Sequence, residues 1–154
     1  MALQMIKSGG QTGADMGGLD AARHLGIPTG GHAPYGWRIC LPDGTDGSNP
    51  QLADYGLVEH ESREYPPRTK LNAQNSDGTV WFGYDRSPGA KLTIKSVKAA
   101  GKALSMNPTP EELRLWCERN NIEVLNVAGN RESDDNPGIY QRTYDAIVKA
   151  FSFG

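Results

Sequence analysis

The feature that most constrains this chain is the turn Ser8-Gly9-Gly10-Gln11-Thr12-Gly13. It is wedged between a short apolar segment, residues 4–8, and a helix-period segment, residues 14–25, that Gly26 stops. Adjacent glycines let the backbone turn sharply and come close to another group. A helix starting directly behind them offers unsatisfied N–H groups and the positive end of its dipole. The same order of strand, loop and helix recurs twice. The apolar run 79–83 leads into Ser87-Pro88-Gly89-Ala90 and a helix toward Lys102. The buried-type run 122–128 leads into Gly129-Asn130-Arg131-Glu132-Ser133, and Asn136-Pro137 then opens a last helix. This alternation predicts an α/β fold with a mostly parallel sheet. In such a sheet all three loops leave the carboxyl ends of strands, the edge where open α/β folds hold ligands.

At 154 residues the chain is the length of one domain. A chain of that size buries roughly 70% of its unfolded surface, enough for a core without staples. Its two cysteines, Cys40 and Cys117, stand far apart and no ligand pairs flank them, so neither a disulfide framework nor a metal cage is expected. Sixteen Lys and Arg against 18 Asp and Glu give a net charge of −2. That balance argues against broad nucleic-acid binding, which needs a basic stripe along the phosphate backbone. No apolar run reaches the roughly 20 residues of a membrane span, and the first residues lack a basic segment followed by an apolar one. The expectation is a cytoplasmic protein with no membrane partner.

Between the loops, residues 28–67 are dense in glycine and proline around one short apolar strand at Leu57 and Val58, and read as an irregular excursion over the sheet edge. A helix is predicted over 68–74. Thr109-Pro110-Glu111-Glu112 combines a threonine N-cap, proline at N1 and glutamate at N3, a capping box that opens a helix with Leu113, Trp116 and Cys117 on its apolar face. Tyr140, Tyr144, Ile147, Val148 and Phe151 share one face of the last helix and are expected in the core. Asp77 reads as a structural residue at a strand start and Asp20 as a solvated helix position.

The candidate ligand residues follow from the loops. In the first, Ser8, Gly9, Gly10, Gln11, Thr12 and Gly13 suit an anionic oxygen, through backbone N–H groups and two hydroxyls. There is no Walker lysine and the spacing is not Gly-x-Gly-x-x-Gly, so neither a P-loop NTPase nor an ordinary dinucleotide dehydrogenase is supported. A tight strand-to-helix connection is the competing reading. In the second loop, Ser87, Gly89, Lys91 and Thr93 lie at a helix start, where Lys91 opposes the dipole unless an anion compensates it; a solvated lysine is the alternative. In the third, Gly129 precedes Arg131, whose fork fits two phosphate oxygens, and Glu132 and Ser133 suit a sugar hydroxyl. A surface ion pair between Arg131 and Glu132 is the plain alternative. Gly31 and His32 stand at a strand end near the same edge. Tyr35 and Trp37 offer either a stacking platform for a purine or pterin ring, or core or lid packing.

Taken together, several segments resemble a known motif series. These are residues 8–15, Gly30-Gly31-His32-Ala33-Pro34-Tyr35-Gly36-Trp37-Arg38, Arg68-Thr69 with Asn72, Asn75-Ser76-Asp77, and residues 125–133. They are similar to the putative molybdenum carrier family, also called circularly permuted YpsA-like proteins, within a wider Rossmann-like group that includes the LOG phosphoribohydrolases. The resemblance spans nearly the whole chain. It implies a single Rossmann-like three-layer domain over 1–154 with a loop-rich insertion around 32–67, whose three loops surround one pocket. It also implies a phosphorylated small ligand, either a nucleotide derivative or molybdenum cofactor, and a homo-oligomer, dimer or tetramer. Two activities are carried forward. In the favoured one the protein binds, carries or sequesters its ligand, a signalling nucleotide included. In the other it cleaves the N-glycosidic bond of a nucleotide, with Asp15 and Arg38 as the nearest catalytic candidates. Relative to the Gly-Gly-x-Gly-Thr loop of the LOG enzymes, Thr12 and Gly13 are exchanged here, and Asp15 replaces a longer glutamate.

Overall fold

The computed structural model describes residues 3–152. Six strands form one parallel sheet: β1 (Met5–Lys7), β2 (Thr29–Ala33), β5 (Leu57–Glu59), β6 (Gly78–Phe82), β7 (Ala103–Met106) and β8 (Val124–Gly129), in the order β5-β2-β1-β8-β6-β7. The short strands β3 (Arg38–Cys40) and β4 (Asp46–Ser48) form a separate antiparallel hairpin. Helices α1 (Ala14–Leu25) and α5 (Ile139–Phe151) pack together, with α4 (Pro110–Arg119) beside α5. A second pair, α2 (Tyr65–Gln74) and α3 (Pro88–Ala100), also packs together. The result is a three-layer, Rossmann-like α/β fold.

Local chemistry explains the helix ends. Gly26 and Gly101 terminate α1 and α3 in the left-handed conformation, each returning its N–H to the preceding turn. Thr109 and Glu112 close the expected capping box on α4. Helix α2 starts at Tyr65, earlier than predicted, because Pro66 and Pro67 fit a first turn whose N–H groups have no partners to lose. Tertiary fit decides α1. A Cβ on Gly17 would lie 2.6 Å from the Tyr140 carbonyl oxygen, and one on Gly18 2.7 Å from Val127, so this glycine pair lets α1 press onto α5 and β8.

The main core lies between the sheet and the α1–α5 layer, around Ile6, Val80, Phe82, Leu113, Leu125, Val127 and Ile147. Trp116, Tyr144, Val148 and Phe151 pack against it, as their helix faces predict. A smaller cluster of Leu19, Ala33, Ile39, Leu52 and Leu57 lies under the irregular middle segment. Asp77 accepts the amides of Glu123 and Val124, locking the start of β8 as expected of a structural residue. Asp20 departs from its expectation. It is half-buried and takes hydroxyl bonds from Tyr55, at 2.5 Å, and from Tyr140, tying α1 to the middle segment and to α5.

The middle segment is more ordered than its composition suggests. Thr29–Ala33 is an internal strand paired with β1 and β5, and the β3–β4 hairpin folds over the sheet's carboxyl edge. Its backbone is tied down there: Thr12 donates to the Cys40 carbonyl, the Cys40 amide donates to Gln11, and the Asp134 amide donates to the Pro42 carbonyl. Strand β7 was absent from the sequence reading, which carried the preceding helix on to Lys102.

Candidate functional site

Because all six strands run parallel, the loops after β1, β6 and β8 meet at one edge. The loop after β1 enters α1 and the loop after β6 enters α3, which belongs to the other helix pair, so the chain diverges there and opens a crevice. The crevice is a cavity of about 390 Å³. Gly9, Gln11 and Asp15 line it from the first loop, Tyr65, Arg68, Thr69 and Asn72 from α2, and Trp81 from β6. Residues 87–89, Leu92 and Thr93 close it at the start of α3, residues 126–131 at the end of β8, and Cys40 at the hairpin.

At its base Asp15 faces Arg68, with Arg68 Nη1 3.7 Å from Asp15 Oδ2 and side chains 13% and 5% exposed respectively. That separation exceeds hydrogen-bond reach. Burial pushes the Asp15 carboxyl up to about 6, although the Arg68 guanidinium and the amides of Gln11 and Gly9 pull it back down. Burial likewise lowers the Arg68 guanidinium against the support of Asp15. Each ion thus loses more on leaving water than its partner returns. Gly9 makes the approach possible, because a Cβ there would fall 2.0 Å from Arg68 Nη1.

The first loop differs from the expected anion cradle. Three of its amides are already spent on nearby side chains: Gly10 donates to Ser8 Oγ, Gln11 to Asp15 Oδ2, and Thr12 to Gln11 Oε1. Ser8 is fully buried and donates to the Asp15 carbonyl. Gly10 lies against Leu52 and Leu57, and Gly13 against the backbone of residues 130–132. Of the six loop residues singled out, Gly9 and Gln11 line the cavity, and Ser8, Gly10, Thr12 and Gly13 hold the loop in shape.

In the second loop Ser87, Gly89 and Thr93 line the cavity, and Lys91 is exposed outside it. In the third, Gly129 and exposed Arg131 line it. Glu132 is engaged elsewhere: it accepts the Gly138 and Tyr140 amides, supplying the cap that the start of α5 otherwise lacks. Ser133 accepts the Asp135 amide in a local turn. Gly31 packs against the Ser8 backbone, and His32 is bound through its backbone by Asn72, so neither lines the cavity. Arg38 pairs with Asp46 at 3.0 Å and lies over the Tyr65 ring, behind the cavity wall. Tyr35 is 55% exposed and Trp37 packs on the smaller core.

The aromatic walls are instead Tyr65 and Trp81. Three buried polar atoms of lining residues find no partner in the protein: Tyr65 Oη, Arg68 Nε and Trp81 Nε1. Sequence reasoning placed none of these three among the ligand residues. Arg68 appeared in a motif but reaches the site only through the packing of α2. No group of three or more His, Cys, Asp or Glu among the described residues is arranged to hold a metal ion.

Known proteins supply an independent view of this architecture. The profile of the circularly permutated YpsA SLOG family matches residues 6–151. The chain belongs to that family. The crystal structure of a putative molybdenum carrier protein from Syntrophus aciditrophicus SB is similar at 32% identity and a TM-score of 0.82, covering 97% of this chain and 95% of that one. No curated protein matches. The YpsA SLOG match runs from β1 through α5, so every loop around the cavity lies within it. No helix among the described residues is long and apolar enough to cross a membrane.

Proposed function

We propose that the cavity binds a small molecule bearing an oxyanion group, the phosphate of a nucleotide derivative or of a pterin cofactor, and that the protein carries or sequesters that molecule. One observation supports this above others: the unpartnered Tyr65 Oη, Arg68 Nε and Trp81 Nε1. A buried donor left without an acceptor costs about 1–3 kcal/mol, so three around one cavity favour an acceptor-rich occupant. A volume of about 390 Å³ lies in the range of small-molecule sites. The family membership, and the similarity to a protein titled a molybdenum carrier, agree with a carrier role.

Native mass spectrometry of freshly purified protein, alone and with nucleoside monophosphates, cyclic nucleotides and molybdenum cofactor, tests this reading. The expected result is a retained intact ligand that Arg68→Gln weakens by about 1.5–3 kcal/mol, while its dephosphorylated analogue is little changed. Equal losses for both would remove the oxyanion from the reading. A second reading is hydrolysis of a nucleotide N-glycosidic bond. It draws support from Asp15, the one carboxyl among the described residues that line the cavity, which burial pushes up to about 6, near the range a general acid or base needs. Free base released from a nucleoside monophosphate, and absent with Asp15→Asn, would establish it.

A further inference from the structure

Arg68 is the buried cation of the cavity, and it already has an anion beside it. Asp15 Oδ2 lies 3.7 Å from Nη1, too far for a hydrogen bond, and Nε has no acceptor, so the guanidinium is under-used on two sides. An oxyanion entering the cavity would meet this guanidinium and, within the same low-dielectric space, the Asp15 carboxylate. Two anions sharing one buried cation repel strongly, and one of them is neutralised more easily than both are kept charged. The carboxyl can give way, since the Gln11 amide needs only an acceptor, and a neutral carboxyl still offers one.

Resting on the proposed oxyanion site, we infer that the cavity takes up its anion together with one proton, which lands on Asp15 and leaves Arg68 to the ligand. Among the described residues, the other titratable or charged groups on the cavity wall are Tyr65 and Arg68 from α2, Cys40 from the hairpin and Arg131 after β8. Asp15 is the one carboxyl among them. The balance closes on Asp15: one dianion and one proton enter, and the site's net charge changes by −1. Burial pushes the Asp15 carboxyl of the ligand-free protein up to about 6, in the direction the inference requires.

The consequence is a ligand affinity that falls by up to about tenfold per pH unit above the Asp15 midpoint, even for an anion that does not itself titrate there. Molybdate and sulfate, both tetrahedral dianions near neutral pH, are the probes, and sulfate alone serves in acid, where molybdate itself takes up protons and condenses. Isothermal calorimetry of the purified protein, in buffers of different ionisation enthalpy, counts the protons taken up per anion bound. The expected count is close to one near pH 7.5 and falls toward zero below about pH 5.5, where Asp15 already holds its proton. Asp15→Asn, which keeps the acceptor for Gln11, should bind with no proton uptake and a flat pH profile, and at about pH 8 should bind more tightly than wild type by tenfold or more. Asp15→Ala repeats the comparison should the asparagine variant fold poorly, and the wild-type proton count needs neither variant. Binding without proton uptake, or uptake that survives Asp15→Asn, overturns the inference and leaves the oxyanion site standing. Failure of both probes to bind at any pH overturns the inference and the oxyanion reading together.

Discussion

Replacing Asp15 by asparagine should stabilise the ligand-free protein at neutral and alkaline pH. The native carboxyl sits at about 6, against 3.8 when it is free in water. The folded state therefore holds this proton more tightly than the unfolded chain does. The stability this contributes is fully present below about pH 3.8, is lost as pH rises to about 6, and above that leaves a constant penalty. A shift of about two pH units, at 1.36 kcal/mol each, makes that penalty about 3 kcal/mol. The attraction of Arg68 is already included, because it is one of the causes that set the native value. Asparagine approximates the protonated carboxyl, so Asp15→Asn should recover most of this amount near pH 8 and almost none near pH 4. For a domain of this size the gain corresponds to about 6–12 °C in Tm. Thermal and urea unfolding of both proteins across that pH range would measure it. If the variant is less stable than wild type by the same margin at every pH, the ionised Asp15–Arg68 pair is a net stabiliser and the reasoning fails.

Gly13→Ala should be severely destabilising, by more than about 3 kcal/mol, because Gly13 has φ 90° and an added Cβ would fall 2.4 Å from the Glu132 amide nitrogen; urea unfolding would read the loss, and near-wild-type stability would contradict the packing of the first loop against the third. Thr109→Ala removes one half of the capping box on α4 and should cost about 1 kcal/mol in the same assay, with ligand retention unchanged. Tyr140→Phe removes a half-buried hydroxyl from the Asp20 carboxylate and should cost about 1–2 kcal/mol. Combined with Tyr55→Phe, it should cost more than the sum of the two single changes, since Asp20 is then left half-buried without either hydroxyl.

Elements specified by neighbouring residues were readable from the chain. The cap on α4 needs Thr109 and Glu112 alone, and α1 needs its apolar period and Gly26. Strand β2 was legible only as a strand end at Gly31 and His32, because Thr29-Gly30-Gly31-His32-Ala33 has neither a β-branched run nor alternation; its pairing with β1 and β5 makes the whole segment a strand. The site divides in the same way. Gly9, Gln11, Asp15, Ser87, Gly89, Thr93, Gly129 and Arg131 line the cavity and stand in, or directly beside, the three strand-to-helix loops whose spacing drew attention to them. Tyr65, Arg68 and Trp81 sit inside a helix and a strand, where an aromatic or an arginine normally reads as packing or surface. Their role at the cavity arises from how α2 and β6 meet the first loop. The local signal for Arg68 is indirect: a glycine at position 9, where a side chain would collide with it.

The hydrogen bonding of the first loop also explains why its glycines mark a site without being its main donors. In a phosphate cradle the amides after the strand point outward and wait for an anion. Here those of Gly10, Gln11 and Thr12 are turned onto Ser8, Asp15 and Gln11, so the loop binds an anion of its own, the Asp15 carboxylate, before any ligand arrives. Under the proposed function, the charge that meets the ligand would come from Arg68 across the cavity and Arg131 at its rim, which are held there by different elements. Asn130 keeps those elements in step: its amide bonds Phe82, its carbonyl accepts from Ala14, and its side chain joins the Tyr84 amide to Ser87 Oγ. One side chain and its backbone thus connect the loops after β1, β6 and β8. A shift in any of the three is transmitted to the others, and the distance between the carboxyl of Asp15 and the donors opposite is set by the fold as a whole.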